Sequence, residues 1–555
     1  PVAIAQGIVE KLNAAEKPRL VNSISAVNGF VNFELDRQAF SAIVLKQIEN
    51  MQGEYGKQNL GNGETVVIDC SAPNVAKYMS VGHLRSTVIG ESLARIYKSA
   101  GYTVIRDNHL GDWGTQFGML GRAIELWGDE IDREMPNAEP VRKLYQLYVK
   151  IHEEVEREKE GLPEGELTPL EKEGREWFRR LEEEKDPQAQ ALLTQTTEQS
   201  LQEFKRIYDL LGSEYEYYLG ESFYVPMLPN VVDTFMRRGL AHKDDQERIT
   251  VNLPAEQGLN PLVILKSDGA SLYSTRDLAT LAARLGWFHP EKILYVVGGD
   301  QSYYLQQMFS AFNELARGET PDIEHVSFGM ISLPEGEKMS TRRGKVIFLE
   351  DVISEAISRA RQRILGVESG ASEAEVAQAY ARVRSEKDLD ADQVEEVARQ
   401  VGVGAVIYMD LGQSRSRNIE FDINQALSLD ANSAPYIQYS HTRAMSILRK
   451  AKEAGIVVET DAQPVFSDAS EEDLMKHLAM FPETIARALK ENEPSTLSLY
   501  MYRTADVFNK FYAVQPVLSE EDTAKQHTRL RVTAAAAQVI RNGLHLLGIE
   551  APVVM

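Results

Sequence analysis

The sequence predicts an α/β protein: a doubly wound parallel sheet split by a mostly helical insertion, followed by an all-α bundle. Three observations predict it. The apolar, β-rich run Val66-Val67-Ile68 and the run "YTVIR" at 102–106 flank a stretch with helical spacing, and parallel neighbours need such a crossover helix. The strand pattern resumes only far downstream, with "ILYVVGG" at 293–299, a helix over 302–317 and "HVSFGMI" at 325–331, so an insertion interrupts the sheet. From about residue 352 strand signals vanish and long apolar-periodic segments take over.

In chain order, residues 1 to about 45 read as a helix from Ile4 to Leu12 and then the strand "GFVNFEL", a fragment of a small α+β unit. After the strand at 66–68, Val81, Leu84, Val88, Leu93, Ile96 and Tyr97 recur near helical spacing, and Gly101 stands where that helix would stop. The region from about 128 to 220 reads as helical, and its charged run at 152–186 as a solvated helical face. Segments 393–411, 435–453, 471–491 and 495–512 read as bundle helices. No internal repeat or low-complexity tract stands out.

A chain of 555 residues, 43% hydrophobic, can bury two to four domain cores. A single cysteine, Cys70, excludes an internal disulfide framework and fits a reducing cytoplasm. No apolar run approaches the length of a membrane span and no secretory signal is present, so no membrane partner is expected. Pro1 in place of a methionine suggests that the numbering starts inside a longer or trimmed chain. The net charge of −23, taken alone, argues against a nucleic-acid partner, because phosphate contacts need lysine and arginine. Much of that charge lies in 152–186, which leaves room for a basic surface elsewhere.

Two stretches carry chemistry. In "SAPNVAKYMSVGHLRST" (71–87), the turn after a parallel strand meets a helix N-terminus, whose free N–H groups and positive dipole end suit phosphate. His83 can donate a hydrogen bond to a phosphate or ribose oxygen, Gly82 lets a ligand approach the backbone, and Lys77 adds a mobile cation. A capped helix with an incidental histidine is the plainer reading, and "GH" alone would not outweigh it. The second stretch, "EKMSTRRGK" (337–345), sets Lys338, Arg342, Arg343 and Lys345 on one glycine-containing loop of an acidic protein, which points to a polyphosphate; a solvated basic loop is the alternative.

Together these stretches look like the paired signatures of class I aminoacyl-tRNA synthetases. The wider set "SAPNVAK", "VGHLRST", "GDWGTQFGML", "LYSTRDLAT", "GGDQ" and "EKMSTRRGKVIFLEDVI" resembles the arginyl-tRNA synthetases of bacterial type, from about residue 20 to Met555. Six ordered motifs make the resemblance specific. It implies a partial tRNA-contacting unit over 1–45, a Rossmann-like catalytic domain over 46–351 with a connective insertion at about 128–255, and a helical anticodon-binding domain over 352–555. It also implies the reaction. Arginine is activated by ATP to arginyl-adenylate, then passed to the 2′-hydroxyl of the terminal adenosine of tRNA-Arg, with Mg2+ expected alongside ATP and pyrophosphate and no dedicated metal cage in the protein.

The resemblance assigns residues as well. His83, Lys77, Lys338 and Ser80 would be catalytic, and Gly82, His83, Gly298, Gly299, Asp300, Lys338, Met339 and Ser340 would bind ATP. Arginine would meet Asp69, Asn74, Tyr273, Asp277 and Gln301. A guanidinium pairs bidentately with carboxylates, and Tyr273 and Asp277 share one face if "LYSTRDLATL" starts a helix. Tyr436, Tyr439, His441, Arg443 and Met555 would meet tRNA, aromatics beside cations being suited to stack on unpaired bases. Two positions depart from the family. Ser80 replaces a histidine; it can still donate one hydrogen bond but cannot carry charge. Thr341 replaces a lysine common in class I, and Lys77 matches the position of the lysine that compensates in the arginyl subfamily. "GDWGTQFG" (111–118) reads either as a neighbour of the adenosine or tRNA 3′ end, or as a tight turn with a buried tryptophan. A monomer is expected. The rival reading, a catalytically silent tRNA-binding relative, rests on Ser80 and the short N-terminal unit.

Overall fold

The structure, a computed structural model, describes residues 1–15, 20–163, 165–316, 320–332, 348–387, 389–429 and 432–555. Its centre is a five-stranded parallel sheet. The strands run Asp322–His325, Lys292–Tyr295, Thr65–Asp69, Thr103–Asn108 and Tyr217–Tyr218 across the sheet. Thr65–Asp69 is the middle strand, and its alternation shows in the packing. Val66 and Ile68 join one apolar core with Leu84, Val88 and Leu93 of the helix Val81–Ser99. Val67 faces the other side, onto Leu278, Leu281, Met308 and Phe312 of the helices Tyr273–Phe288 and Ser302–Ala316. Every side chain of the strand after Thr65 is buried, which is why its sequence is a continuous apolar run rather than an alternating one.

The chain leaves the middle strand toward Thr103–Asn108 on one side and returns later as Lys292–Tyr295 on the other. Strand order therefore reverses at Thr65–Asp69, and a ligand crevice forms beyond the carboxyl ends of strands at such a point. The crossover helix lies close against the strand. A Cβ on Gly90 would come within 2.5 Å of the Cys70 sulfur. Cys70 is 1% exposed, and burial pushes its thiol well above the ordinary range.

The insertion contains four long helices, Thr115–Glu134, Pro140–Lys159, Pro169–Glu182 and Pro187–Leu211, with their own core around Leu120, Ile151, Trp177 and Leu181. A small antiparallel sheet, Ala241–Lys243, Ile249–Val251 and Leu262–Leu265, follows it. The helices Leu349–Leu365, Ala391–Leu411, Ala434–Glu453, Pro494–Val514 and Thr523–Leu546 form most of the C-terminal bundle. Its core residues Ile437, Phe508 and Val532 belong to the same apolar cluster as Ile68 and Leu93, so the bundle packs directly on the sheet's crossover helix.

Several expectations are corrected. The predicted strand 325–331 is not continuous: Asp322–His325 closes the sheet, and Ile331–Ser332 pairs in parallel with Ile419–Glu420 in a separate two-stranded sheet. Strand structure therefore does recur after residue 352, in a pair too short to show alternation. Lys292–Tyr295 stops short of the Gly298-Gly299 turn. Segment 471–491 is two helices, Ala469–Ala479 and Phe481–Glu491. Pro482 stands in the first turn of the second, where its missing N–H goes unneeded. The N-terminal unit has a strand the sequence reading missed, Val21–Val27, joined to Phe30–Leu35 through Asn28-Gly29 with φ of 53° and 86°. That dipeptide is the strongest short hairpin signal in the region. Among the described residues no helix is long and apolar enough to cross a membrane.

Candidate active site

Past Asp69 the chain turns through 70–80 before the helix Val81–Ser99 begins. Ser71, Ala72 and Ala76 have φ of 72°, 44° and 59°, a conformation that costs an L residue on the order of 1–3 kcal/mol. Side chains from neighbouring helices hold the turn. Ser86 Oγ accepts from the Ser71 N–H at 2.7 Å and donates to the Val296 carbonyl at 2.6 Å. Thr87 Oγ1 lies 2.9 Å from Ser71 Oγ, and Ser200 Oγ of the insertion accepts from the Ala76 N–H at 2.9 Å. The preceding Arg85 is 1% exposed and anchors the other flank of the helix. Its Nε meets Asp410 Oδ2 at 2.9 Å, its Nη1 the Gly329 and Arg417 carbonyls at 2.7 Å, and its Nη2 the Arg415 carbonyl at 3.0 Å. "LRST" thus fixes the first turns of the helix in place.

Ser80 is the N-cap of that helix. Its N–H donates to His83 Nδ1 at 3.0 Å and its hydroxyl lies 3.1 Å from the same atom. A ring nitrogen that accepts a backbone N–H has no proton of its own, so the neutral ring carries its hydrogen on Nε2. Burial pushes the His83 pKa down to about 4, and the nearby Lys77 charge lowers it further against the hydrogen bond from Ser80. His83 is therefore a neutral donor with a fixed tautomer. Ser80 is expected to donate one hydrogen bond where the family has a histidine; here its hydroxyl lies against His83 Nδ1. Gly82 is exposed in the first helical turn, as the close-approach reading requires. Lys77 Nζ stands 4.5 Å from the ring centroid of Tyr148 on the insertion helix Pro140–Lys159.

Across the crevice, acidic groups gather. Asp277 and Tyr273 do share one face of the helix Tyr273–Phe288: the Tyr273 ring packs 4.9 Å from the Tyr304 ring, and the Tyr304 hydroxyl donates to Asp277 Oδ2. Asp112 accepts the Ser222 N–H at 2.8 Å and its hydroxyl at 2.6 Å. Glu221 Oε2 lies 2.7 Å from Arg276 Nε. Burial, then the Asp277 and Asp112 charges, raise the Glu221 pKa to about 7 against the pull of Arg276. Burial also raises Asp112 and Asp277. Burial thus disfavours the charge on all three carboxylates, and at Glu221 the other two add to it, an environment that favours a cation beside them. Sequence reasoning missed Glu221, Tyr304 and His109, which reach the cluster from separate elements; His109 sits two residues before "GDWG", the nearest signal available.

Asp69 is a correction. Its Oδ2 is 2.8 Å from Nη1 of Arg284, which is fully buried and also 2.8 Å from Asp107. Asp69 thereby neutralises an arginine of the chain itself, one that only folding brings beside it. Asn74 is exposed and bridges to Gly111, its backbone pairing with the first residue of "GDWG". Gly298, Gly299, Asp300 and Gln301 form an exposed turn beyond the strand Lys292–Tyr295, where the Gly299 N–H donates to the Phe328 carbonyl at 2.9 Å. Lys338, Met339 and Ser340, with the rest of 337–345, lie outside the described residues.

In the C-terminal bundle a groove of about 810 Å³ is lined by Tyr439, Arg443, Lys450, Tyr512 and Met555 among others. Arg443 stands 4.8 Å from the Tyr439 ring and 5.4 Å from the Tyr512 ring. Tyr436 lies apart, half-buried against Tyr502 with its hydroxyl accepting from Asn509 at 3.1 Å. His441 is corrected: it is 2% exposed, and its Nδ1 meets the Pro552 carbonyl at 2.9 Å, so it ties down the tail instead of stacking on a base.

Comparison with known proteins bears on the family and the fold. The model of "tRNA synthetases class I (R), catalytic domain" matches residues 45–423, and that of the "DALR anticodon binding domain" matches 437–555. The arginine–tRNA ligase of Levilactobacillus brevis is 40% identical over 552 residues, covering 100% of this chain and 90% of that protein. Arginine–tRNA ligase 1 of Bacillus cereus is 41% identical over 552 residues with the same coverage. Among solved structures, the arginyl-tRNA synthetase of Thermus thermophilus superposes with a TM-score of 0.79 at 24% identity, covering 100% of this chain and 92% of that one. That of Plasmodium falciparum gives 0.76 at 24% identity, over 100% and 89%.

Proposed function

The chain belongs to the arginyl-tRNA synthetases of class I, and from that membership we propose how its residues perform the work of an arginine–tRNA ligase. ATP is the co-substrate. The observation that carries the reading is the trio Asp112, Glu221 and Asp277, with Tyr273 and Tyr304, beside the crevice that the strand reversal opens. It suits the guanidinium of L-arginine; Asn74 and Gln301 complete the pocket, and Asp69 acts through Arg284.

With arginine held there, its carboxylate oxygen attacks the α-phosphorus of ATP. A phosphorus–oxygen bond forms, the bond to the β-phosphate bridge breaks, and pyrophosphate leaves. His83 Nε2–H donates to the α-phosphate, Ser80 fixes the ring from behind, and Gly82 admits the phosphates to the helix N-terminus. Lys77 approaches from the insertion side, Lys338, Met339 and Ser340 also bind ATP, and Gly298, Gly299 and Asp300 border the ribose. Mg2+ would travel on the phosphates, held by phosphate oxygens and water. In the second step the 2′-hydroxyl of the terminal adenosine of tRNA-Arg attacks the arginyl carbonyl carbon and AMP leaves. Positioning and charge stabilisation supply the rate, as no covalent enzyme intermediate is needed.

In this reading 46–351 is catalytic, with the insertion at about 128–255. Residues 352–555 meet the anticodon through Tyr439, Arg443 and Met555, with Tyr436 behind them, and 1–45 contacts tRNA. The enzyme works as a monomer in the cytoplasm. No observation favours the catalytically silent alternative. Arginine-dependent ATP–pyrophosphate exchange, run with and without tRNA-Arg and with lysine and glutamine as controls, tests it. Exchange specific to arginine is expected; none under either condition, with tRNA still bound, would restore the silent reading.

A further inference from the structure

The floor of the acidic pocket holds a side chain that the reading above does not use. His109 follows the strand Thr103–Asn108 directly. Its Nδ1 lies 3.1 Å from the Leu219 carbonyl, an oxygen that can only accept, so Nδ1 carries the hydrogen. Burial and the Arg284 charge keep the ring neutral. Nε2 is then a bare acceptor, and it is buried with no hydrogen-bond partner. The nearest polar group is another acceptor: Asp277 Oδ1 stands 3.9 Å from it. Asp277 opens to the crevice, with a quarter of its side chain exposed, while its other oxygen already accepts from Tyr304.

Two acceptors at this spacing, one neutral and one anionic, lack the N–H that would satisfy both. Among the described residues none hydrogen-bonds Nε2: Tyr304 is turned to Asp277 Oδ2, and Arg284 is engaged with Asp69 and Asp107. One nitrogen placed about 2.8 Å from each acceptor would bridge them. We propose that His109 is a specificity-determining residue of the amino-acid pocket, its Nε2 accepting one guanidinium N–H of arginine while Asp277 Oδ1 takes the charge. A guanidinium has several planar N–H groups to divide between two acceptors set at an angle; the single ammonium of lysine is a point charge that a neutral imidazole serves less well. The inference rests on the placing of the guanidinium at Asp277.

The test is steady-state aminoacylation by the full chain with tRNA-Arg, varying arginine and ATP separately. His109→Phe, which keeps a ring of similar size, is expected to raise KM for arginine by about 10- to 100-fold, the loss typical of a hydrogen bond to a charged group. KM for ATP should stay within about twofold, since a residue that only supports packing would disturb both. His109→Gln, whose amide oxygen reaches the place of Nε2, should recover most of the affinity. His109→Asn, whose amide stands nearer Nδ1, should not, and the Gln/Asn pair decides the matter if the Phe variant does not fold. An unchanged KM for arginine in His109→Phe, or Gln and Asn variants that behave alike, overturns the proposal. Asp277→Asn separates the two layers: if it raises KM for arginine while His109→Phe does not, only the role of His109 falls. If Asp277→Asn is itself without effect, the placing of the guanidinium falls with it.

Discussion

His83 works without a positive charge at neutral pH. With its pKa down at about 4 and Nδ1 held by the Ser80 N–H, it stands as a neutral Nε2–H dipole for the proposed ATP contact. We expect 15N spectra, with the His83 signals assigned by difference against His83→Asn, to show the Nε2–H tautomer and no titration above pH 5. Ser80→Ala should cost about 1 kcal/mol of stability through the lost hydroxyl contact to His83. It should leave the exchange rate within about tenfold, because the backbone N–H still orients the ring. Glu221 gives a pH effect of opposite origin. Its folded pKa, about 7, is raised above the ordinary 4.5, so near neutrality it is partly protonated. A bound guanidinium favours the carboxylate and drives that proton off. Arginine binding should therefore release protons between about pH 6 and 7.5 and tighten as pH rises, a signature that calorimetry in buffers of different ionisation heat would read and Glu221→Gln would abolish. The sequence displayed His83, Tyr273 and Asp277 because each lies in a short motif whose spacing has local meaning. It hid Glu221, His109 and the commitment of Asp69 to Arg284, because those relations join distant segments that share no spacing.

Among the elements, the helix Val81–Ser99 is tied to the site at one end and to the bundle along its flank. Arg85 clasps Asp410, at the end of Ala391–Leu411, together with three carbonyls on the segments 329 and 415–417. Both side chains are at most 1% exposed, so removing one partner strands the other. Arg85→Met should lower stability by about 3–5 kcal/mol, seen as a reduced urea midpoint, and Arg85→Met/Asp410→Leu should regain much of it. Long elements with a steady period, such as this helix and Pro494–Val514, were legible from sequence. Boundaries set by partners were not. "HVSFGMI" alternates Val326, Phe328 and Met330 as a strand would, yet it divides because Gly329 must pass close to the Arg417 backbone, where a Cβ would come within 2.4 Å of a carbonyl oxygen. The pair Ile331–Ser332 and Ile419–Glu420 exists only through that approach.

For the whole molecule, charge is segregated. The insertion helices over 115–211 carry −9 of the net −23, while Arg443, Arg449 and Lys450 line the C-terminal groove beside Tyr439 and Tyr512. Overall acidity thus opposes a polyanion, and the cations of the groove offset it locally, a distribution that net charge alone conceals. Tyr439→Ala should raise KM for tRNA about tenfold, the range of one lost base stack. KM for arginine and ATP should hold, and raising salt should weaken tRNA binding in parallel for variant and parent. The same unity of construction has a practical consequence at Cys70. The only thiol of the chain lies sealed between the middle strand and the Gly90 face of its crossover helix. A maleimide can reach it only when that helix parts from the sheet, so the labelling rate of the native enzyme is a stopwatch for this opening, readable without an engineered probe. Arginine and ATP bound across the crevice should slow the clock.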